Sequence, residues 1–344
     1  MAFINYKLLG GVITMIIVMK LEATQEEVNN VEKELKNFGF DTHLIKGTNR
    51  LVIGAVGNPS LRENLPLERM AGVEKIVPIM KPFKLAGREM QPDNTVVEVK
   101  GIKIGGKEPV VVAGPCAVES REQLLEAAVG VKEAGASIIR GGAFKPRTSP
   151  YSFQGMEEEG LKILKEASEM TGLPVVTEII DERSTDLAKE YVDILQIGAR
   201  NMQNFQLLKI VGQTGKPVIL KRGMSATINE WLMAAEYVMS QGNYNIILCE
   251  RGIRTFETAT RNTLDLSAIP VVQSLSHLPI IADPSHASGS WKLVTPLARG
   301  AIACGAHGVM VEVHPNPKQA LCDGQQSLSL QNFKEMMQSL GTIK

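Results

Sequence analysis

The sequence predicts an α/β protein: a (β/α)8 TIM barrel preceded by a small ferredoxin-like α+β unit. Three observations predict it. Eight short, nearly continuous apolar runs recur after residue 109. Amphipathic stretches of helical spacing separate them. Ahead of them, residues 15–81 read in the order β-α-β-β-α-β.

Taken in order, residues 1–14 read as an N-terminal extension. The run LLGGVITMIIVM (8–19) is apolar. It falls short of the roughly 20 residues a membrane span needs. It also lacks the basic n-region and small-residue cleavage site of a signal peptide. Ile16 to Met19 therefore reads as a buried strand. Thr24 with Glu27 three residues on forms a capping box. Val28, Val31 and Leu35 keep helical spacing, and Gly39 ends the helix. FDTHLIKG and RLVIGAVG read as two strands joined by a Gly-Thr-Asn turn. A short helix near 59–70 and the strand VEKIVPIM complete the unit.

Residues 82–108 have the Pro, Gly, Lys and Asp content of a linker, with VVEV and IKI able to form a hairpin. From 109 to 344 the barrel runs are 110–114, 137–140, 174–178, 193–197, 217–221, 245–249, 279–283 and 308–313. Helices are expected between them, for example at 121–134, 157–170 and 226–240. Runs this apolar suit parallel strands covered on both faces. A doubly wound sheet is the alternative, but GPCAVES after the first run is not a dinucleotide-binding glycine fingerprint.

Lys+Arg and Asp+Glu balance at 37 each, so no bulk charge favours nucleic acid or an anionic membrane. The four cysteines, Cys116, Cys249, Cys304 and Cys322, are dispersed and form no C-x-x-C pair. That fits a reducing compartment, and the cytoplasm is the expected location.

In such barrels the chemistry lies at the C-terminal strand ends. Those ends carry two kinds of side chain. Strands 7, 8 and 1 are neighbours in a closed barrel. They bring His286, Glu312 with nearby Asp323, and Cys116. Thiolate, imidazole and two carboxylates make a mixed donor set for a divalent transition metal. Strands 2, 4, 5 and 6 bring Arg140, Lys145, Arg147, Arg200, Lys221 and Arg251. Six cations at one mouth repel unless anions arrive, and arginine forks match phosphate and carboxylate. Each residue alone has a plainer explanation. A strand-end Cys is ordinarily a small core residue. A His often satisfies a local hydrogen bond, as we expect of His277, His307 and His314. Asp323 before Gly324 is turn chemistry. Glu312 is the exception, because an unpaired carboxylate in an apolar strand is costly. The segregation of donors and cations to opposite sides carries the reading.

The motifs AGPCAVES, RGGAFKPRTSPYSFQG, QIGARNMQNF, LKRG, ILCERGIRTFE, DPSHASG and VEVHPNP resemble those of 3-deoxy-D-arabino-heptulosonate 7-phosphate synthases. The similarity covers roughly residues 15–340 and indicates the subtype with a short ferredoxin-like domain. It implies condensation of phosphoenolpyruvate with erythrose 4-phosphate, the first step towards aromatic amino acids. It implies metal ligands at Cys116, His286, Glu312 and Asp323. It puts phosphoenolpyruvate on Arg140, Lys145, Arg200, Lys221 and Arg251, and the sugar phosphate on Arg147, Thr148 and Ser149. Lys145, Cys116 and His286 become the catalytic candidates, with Lys145, Glu178 and His286 considered for proton transfer. One divalent ion per subunit is expected, Mn2+ first, with Fe2+, Co2+, Zn2+ or Cd2+ compatible. A homotetramer and feedback by tyrosine or phenylalanine on the N-terminal domain are the family expectations.

Three rivals are set against this. A 3-deoxy-D-manno-octulosonate 8-phosphate synthase, using arabinose 5-phosphate, carries K-A-N-R-S-S where this chain has Lys145-Pro146-Arg147-Thr148-Ser149, and usually lacks the N-terminal domain. A Schiff-base aldolase would use Lys221. A non-catalytic regulatory barrel would keep the fold and lose the ligands, all of which are present.

Overall fold

A computed structural model describes residues 13–46, 51–57, 66–78, 82–146, 149 and 151–341. The chain divides into two compact units, Met1–Asp93 and Asn94–Lys344.

In the first unit, β1 (Ile13–Met19), α1 (Gln25–Asn37), β2 (Asp41–Lys46), β3 (Leu51–Val56) and β4 (Val73–Pro78) follow one another. The strands form an antiparallel sheet in the order β2-β3-β1-β4, the ferredoxin-like order. Thr24 and Glu27 close the capping box at the start of α1. The Val28, Val31 and Leu35 stripe packs onto Ile17, Ile53 and Leu67. Gly39 takes a left-handed conformation that lets the chain reverse into β2. The Gly-Thr-Asn turn and residues 1–12 lie outside the described residues. So does most of the helix expected near 59–70, whose described end is a 3-10 turn, Leu67–Arg69.

The second unit opens with the hairpin β5 (Val97–Val99) and β6 (Ile102–Ile104). Then come β7 (Val110–Gly114), α2 (Arg121–Glu133), β8 (Ile138–Arg140), α3 (Glu157–Thr171), β9 (Val175–Ile179), α4 (Glu182–Tyr191), β10 (Ile194–Ile197), α5 (Phe205–Gln213), β11 (Val218–Lys221), α6 (Ile228–Met239), β12 (Ile246–Glu250), α7 (Ala268–Leu275), β13 (Ile280–Ala282), α8 (Pro284–Ser288), α9 (Trp291–Ala303), β14 (Gly308–Glu312) and α10 (Leu330–Leu340). Strands β7 to β14 pair in parallel, and β14 closes onto β7. The predicted (β/α)8 barrel is therefore the observed fold.

The apolar runs are strands because both faces are covered. Val112, Ile138, Val176, Ile219, Ile247, Ile281 and Met310 fill the interior, and Val97, Val99 and Ile104 of the hairpin pack against the same cluster. Each fully buried aliphatic chain contributes about 1.5–3 kcal/mol. Trp231 on α6 is fully buried, and its indole donates to the Leu220 carbonyl at 3.1 Å. At the opposite rim Gly114 leaves β7 close beside β8. A Cβ there would sit 2.2 Å from the Arg140 carbonyl oxygen, so only glycine lets these two strand ends approach. Among the described residues no helix is long and apolar enough to cross a membrane.

Candidate active site

Polar side chains at the C-terminal strand ends line a cavity of about 340 Å3. Its wall includes Lys145, Ser149, Glu178, Arg200, Lys221, Arg251, Arg261, His286 and Asp323. A smaller pocket beneath it reaches Cys116 and Arg140.

One side holds the four donors. Donor atoms of Cys116, His286, Glu312 and Asp323 all lie within 4.8 Å of one another. Cys116 follows β7, Glu312 ends β14, and His286 sits in α8 directly after β13. Asp323 adopts a left-handed backbone (φ 51°, ψ 32°), unusual for a residue with a side chain. That turn brings its carboxylate back to Cys116, whose Sγ lies 3.1 Å from Oδ2. His286 Nε2 lies 3.3 Å from Glu312 Oε1. Contact with Cys322, burial and the nearby carboxylates push the Cys116 thiol well up, against the pull of Lys145. A divalent cation would reverse that sign, since a coordinating thiol is deprotonated. Burial pushes His286 below its usual value despite Asp283 and Glu312, which leaves the neutral imidazole a ligand requires. Glu312 Oε1 is buried and has no hydrogen-bond partner among the described residues. A buried carboxylate oxygen that makes no hydrogen bond, beside a thiol, an imidazole and a second carboxylate, fits a divalent metal.

The other side is cationic. Arg140 Nη2 lies 3.3 Å from Glu312 Oε1. Lys145 Nζ lies 3.0 Å from both Cys116 Sγ and the Cys116 carbonyl. Burial opposes charge on Lys145, but Cys116 and Glu178 outweigh it and hold the ammonium protonated. Arg251 is buried, and burial lowers its pKa. Arg140 Nη1 and Arg251 Nη1 are buried with no hydrogen-bond partner among the described residues. Guanidinium N–H groups left open in a polar cavity suit an anion. Arg222, next to Lys221, belongs to a different structure. It pairs with Glu250 and Asp265 at 2.9 Å each. Glu250 also accepts from Gly252 N at 2.7 Å, which fixes the backbone on either side of Arg251.

The barrel thus brings together Cys116, His286, Glu312 and Asp323 on one side and Arg140, Lys145, Arg200, Lys221 and Arg251 on the other. Ser149 lies on the cavity wall, while Arg147 and Thr148 lie outside the described residues. Lys221 pairs with buried Asp283. His277 bonds Thr95 Oγ1 at 2.7 Å and His307 accepts from Ile280 N at 3.1 Å, the local bonds expected of them. Sequence reasoning missed three contributors. Arg261 reaches Asp323 Oδ1 (3.3 Å) and Gln326 Oε1 (3.0 Å). Gln326 donates to Glu312 Oε2 at 2.7 Å. Asp283 binds both His286 and Lys221. Only Asp283 carried a signal, its place at a strand end.

Fold and site define a (β/α)8 barrel with a metal-type donor cluster facing a cationic wall. The chain belongs to the DAHP synthetase I family, which matches residues 90–343. Residues 15–81 match the DAHP synthase ferredoxin-like domain. The chain is 51% identical over 326 residues to the phospho-2-dehydro-3-deoxyheptonate aldolase of Thermotoga maritima, covering 95% of this chain and 96% of that protein. The crystal structure of that aldolase superposes with a TM-score of 0.76 at 49% identity, with 96% of each chain covered. A truncated form of 3-deoxy-D-arabino-heptulosonate 7-phosphate synthase from the same organism covers 76% of this chain and 96% of its own, with a TM-score of 0.71 at 51% identity. A 2-dehydro-3-deoxyphosphooctonate aldolase of Syntrophobacter fumaroxidans is 35% identical over 261 residues, 71% of this chain and 90% of that one.

Proposed function

We propose that the chain condenses phosphoenolpyruvate with erythrose 4-phosphate to give 3-deoxy-D-arabino-heptulosonate 7-phosphate and phosphate. The observation that carries this is the pair of buried Nη1 groups of Arg140 and Arg251, without a hydrogen-bond partner among the described residues, beside the donor cluster. Two anions and a carbonyl need such a juxtaposition. Arg140, Lys145, Arg200, Lys221 and Arg251 bind the carboxylate and phosphate of phosphoenolpyruvate, and Arg147, Thr148 and Ser149 take the sugar phosphate. Cys116, His286, Glu312 and Asp323 would hold a divalent ion, which supplies Lewis-acid polarisation of the aldehyde oxygen. Lys145, charged and beside the cluster, holds a proton for the developing alkoxide. Phosphoenolpyruvate C3 bonds to the aldehyde carbon, water adds at C2, and phosphate leaves with cleavage of its C–O bond. Turnover in H2-18O should therefore release phosphate free of the label. Labelled phosphate would mean attack at phosphorus and would overturn this chemistry.

Mn2+ is the proposed native ion, the homotetramer the proposed assembly and the cytoplasm the proposed location. We also assign the ferredoxin-like unit a regulatory role, with tyrosine or phenylalanine as the effector. Removal of residues 1–81 should leave turnover and abolish inhibition by either amino acid. Inhibition that survives the deletion would place the effector elsewhere.

Relatives named 2-dehydro-3-deoxyphosphooctonate aldolase make arabinose 5-phosphate the rival sugar. The Lys145-Pro146-Arg147-Thr148-Ser149 segment and the N-terminal domain favour the four-carbon sugar.

A further inference from the structure

Asp283 belongs to neither the donor cluster nor the cationic wall, yet it touches both. Its side chain is fully buried. Oδ1 accepts from the His286 backbone N–H at 3.0 Å and so caps α8. Oδ2 lies 2.8 Å from His286 Nδ1 and also pairs with Lys221 Nζ. An ionised carboxylate only accepts, so this pairing puts the imidazole proton on Nδ1. Nε2 is then a free donor atom on the side of Glu312 and the cluster. Lys221 reaches the same oxygen from β11 while lining the cavity. One oxygen thus serves a candidate metal ligand and a candidate anion ligand.

We propose that Asp283 is a positioning residue that sets His286 for the metal and Lys221 for the anion, and couples the two sites through the shared oxygen. The inference rests on the site assignment made under the proposed function. Its physical content is a competition. The Lys221 ammonium draws charge from Oδ2 and weakens its hold on the Nδ1 proton. An anion that engages Lys221 relaxes that pull, strengthens Nε2 as a donor, and tightens metal binding. By reciprocity the metal tightens the anion by the same factor.

Asparagine is close in shape to aspartate and an equally good helix cap. Asp283→Asn therefore removes the charge with little change to the fold. The experiment measures Mn2+ affinity by chelator competition on the full-length wild type, Asp283→Asn, Lys221→Met and the double variant, with melting temperature in parallel. Asp283→Asn should weaken Mn2+ by about 10–100-fold, the usual cost of losing the partner of a metal-binding histidine. Lys221→Met should tighten Mn2+ in the wild-type background and do so less in the Asp283→Asn background. Equal effects of Lys221→Met in both backgrounds would leave direct repulsion as its whole action and overturn the coupling. Asp283→Asn affinity within threefold of wild type, with any fall confined to melting temperature, would reduce Asp283 to a cap and overturn the proposal. If Asp283→Asn does not fold, Asp283→Ser, which keeps a capping oxygen and removes the charge, takes its place in the same cycle, and unchanged or weaker Mn2+ binding in Lys221→Met overturns the proposal. A wild type that binds no stoichiometric Mn2+ would instead overturn the site assignment beneath it.

Discussion

Cys116→Ala should fold, lose its metal and lose turnover. Cys116 is 2% exposed at the end of β7, and its packing neighbours are Ala117, Cys322 and Phe153. Alanine leaves a small void there, which costs stability without changing the fold. The effect on the cluster is larger. The thiolate is the softest of four donors lying within 4.8 Å of one another. Without it, two carboxylates and an imidazole remain, one donor and one negative charge fewer. Lewis-acid polarisation is worth several kcal/mol in the transition state. Losing about 4 kcal/mol lowers kcat/KM by roughly a thousandfold. Metal analysis should show about one ion per wild-type chain and almost none in the variant, with matching circular dichroism. A Cys116→Ala protein with full turnover would refute the ligand assignment.

Arg251→Leu should separate binding from stability in opposite directions. Arg251 is 5% exposed, Nη1 has no hydrogen-bond partner among the described residues, and Nη2 makes only a 3.5 Å contact with the His286 carbonyl. Burial already works against its charge. Without ligand, this guanidinium is a cost of the fold. With phosphoenolpyruvate it makes charge-assisted bonds, each worth about 1.5–3 kcal/mol. Leucine should therefore lower kcat/KM for phosphoenolpyruvate by about 100-fold or more, while KM for erythrose 4-phosphate stays within about threefold. The melting temperature of the ligand-free protein should rise by about 2–4 °C, the scale of roughly 1 kcal/mol in a domain of this size. Arg251→Lys should not restore phosphoenolpyruvate binding, because a point charge does not replace a planar fork. Steady-state kinetics and a melting curve check both halves. An unchanged KM for phosphoenolpyruvate would remove Arg251 from the anion site.

The barrel was legible because its strands are buried on both faces. VVVAG and GVMVEV need no alternation, and the strands observed at Val110–Gly114 and Gly308–Glu312 end within one residue of the apolar runs. The hairpin was legible from two short segments, VVEV and IKI, on either side of Lys100-Gly101. Cys116, His286, Glu312 and Asp323 span more than 200 positions of chain, and barrel closure is what unites them. They could be picked out because the fold assigns strand ends to the site before any distance is known. Their supporting groups could not. Asp283 stands at a strand end and caps α8, but its bond to Lys221 spans 62 positions. Gln326 lies in a 3-10 turn and Arg261 in a loop, and no periodicity describes either path. The left-handed turn at Asp323 is likewise set by what surrounds it. Local pattern determines which strand a residue terminates, and tertiary closure determines which oxygen it shares.

The most direct measurement is phosphoenolpyruvate consumption by purified protein with erythrose 4-phosphate, with and without EDTA, and with arabinose 5-phosphate in parallel. Turnover with the four-carbon sugar, lost on chelation and restored by Mn2+, is the predicted result. Turnover with arabinose 5-phosphate alone, or turnover indifferent to EDTA, would contradict it.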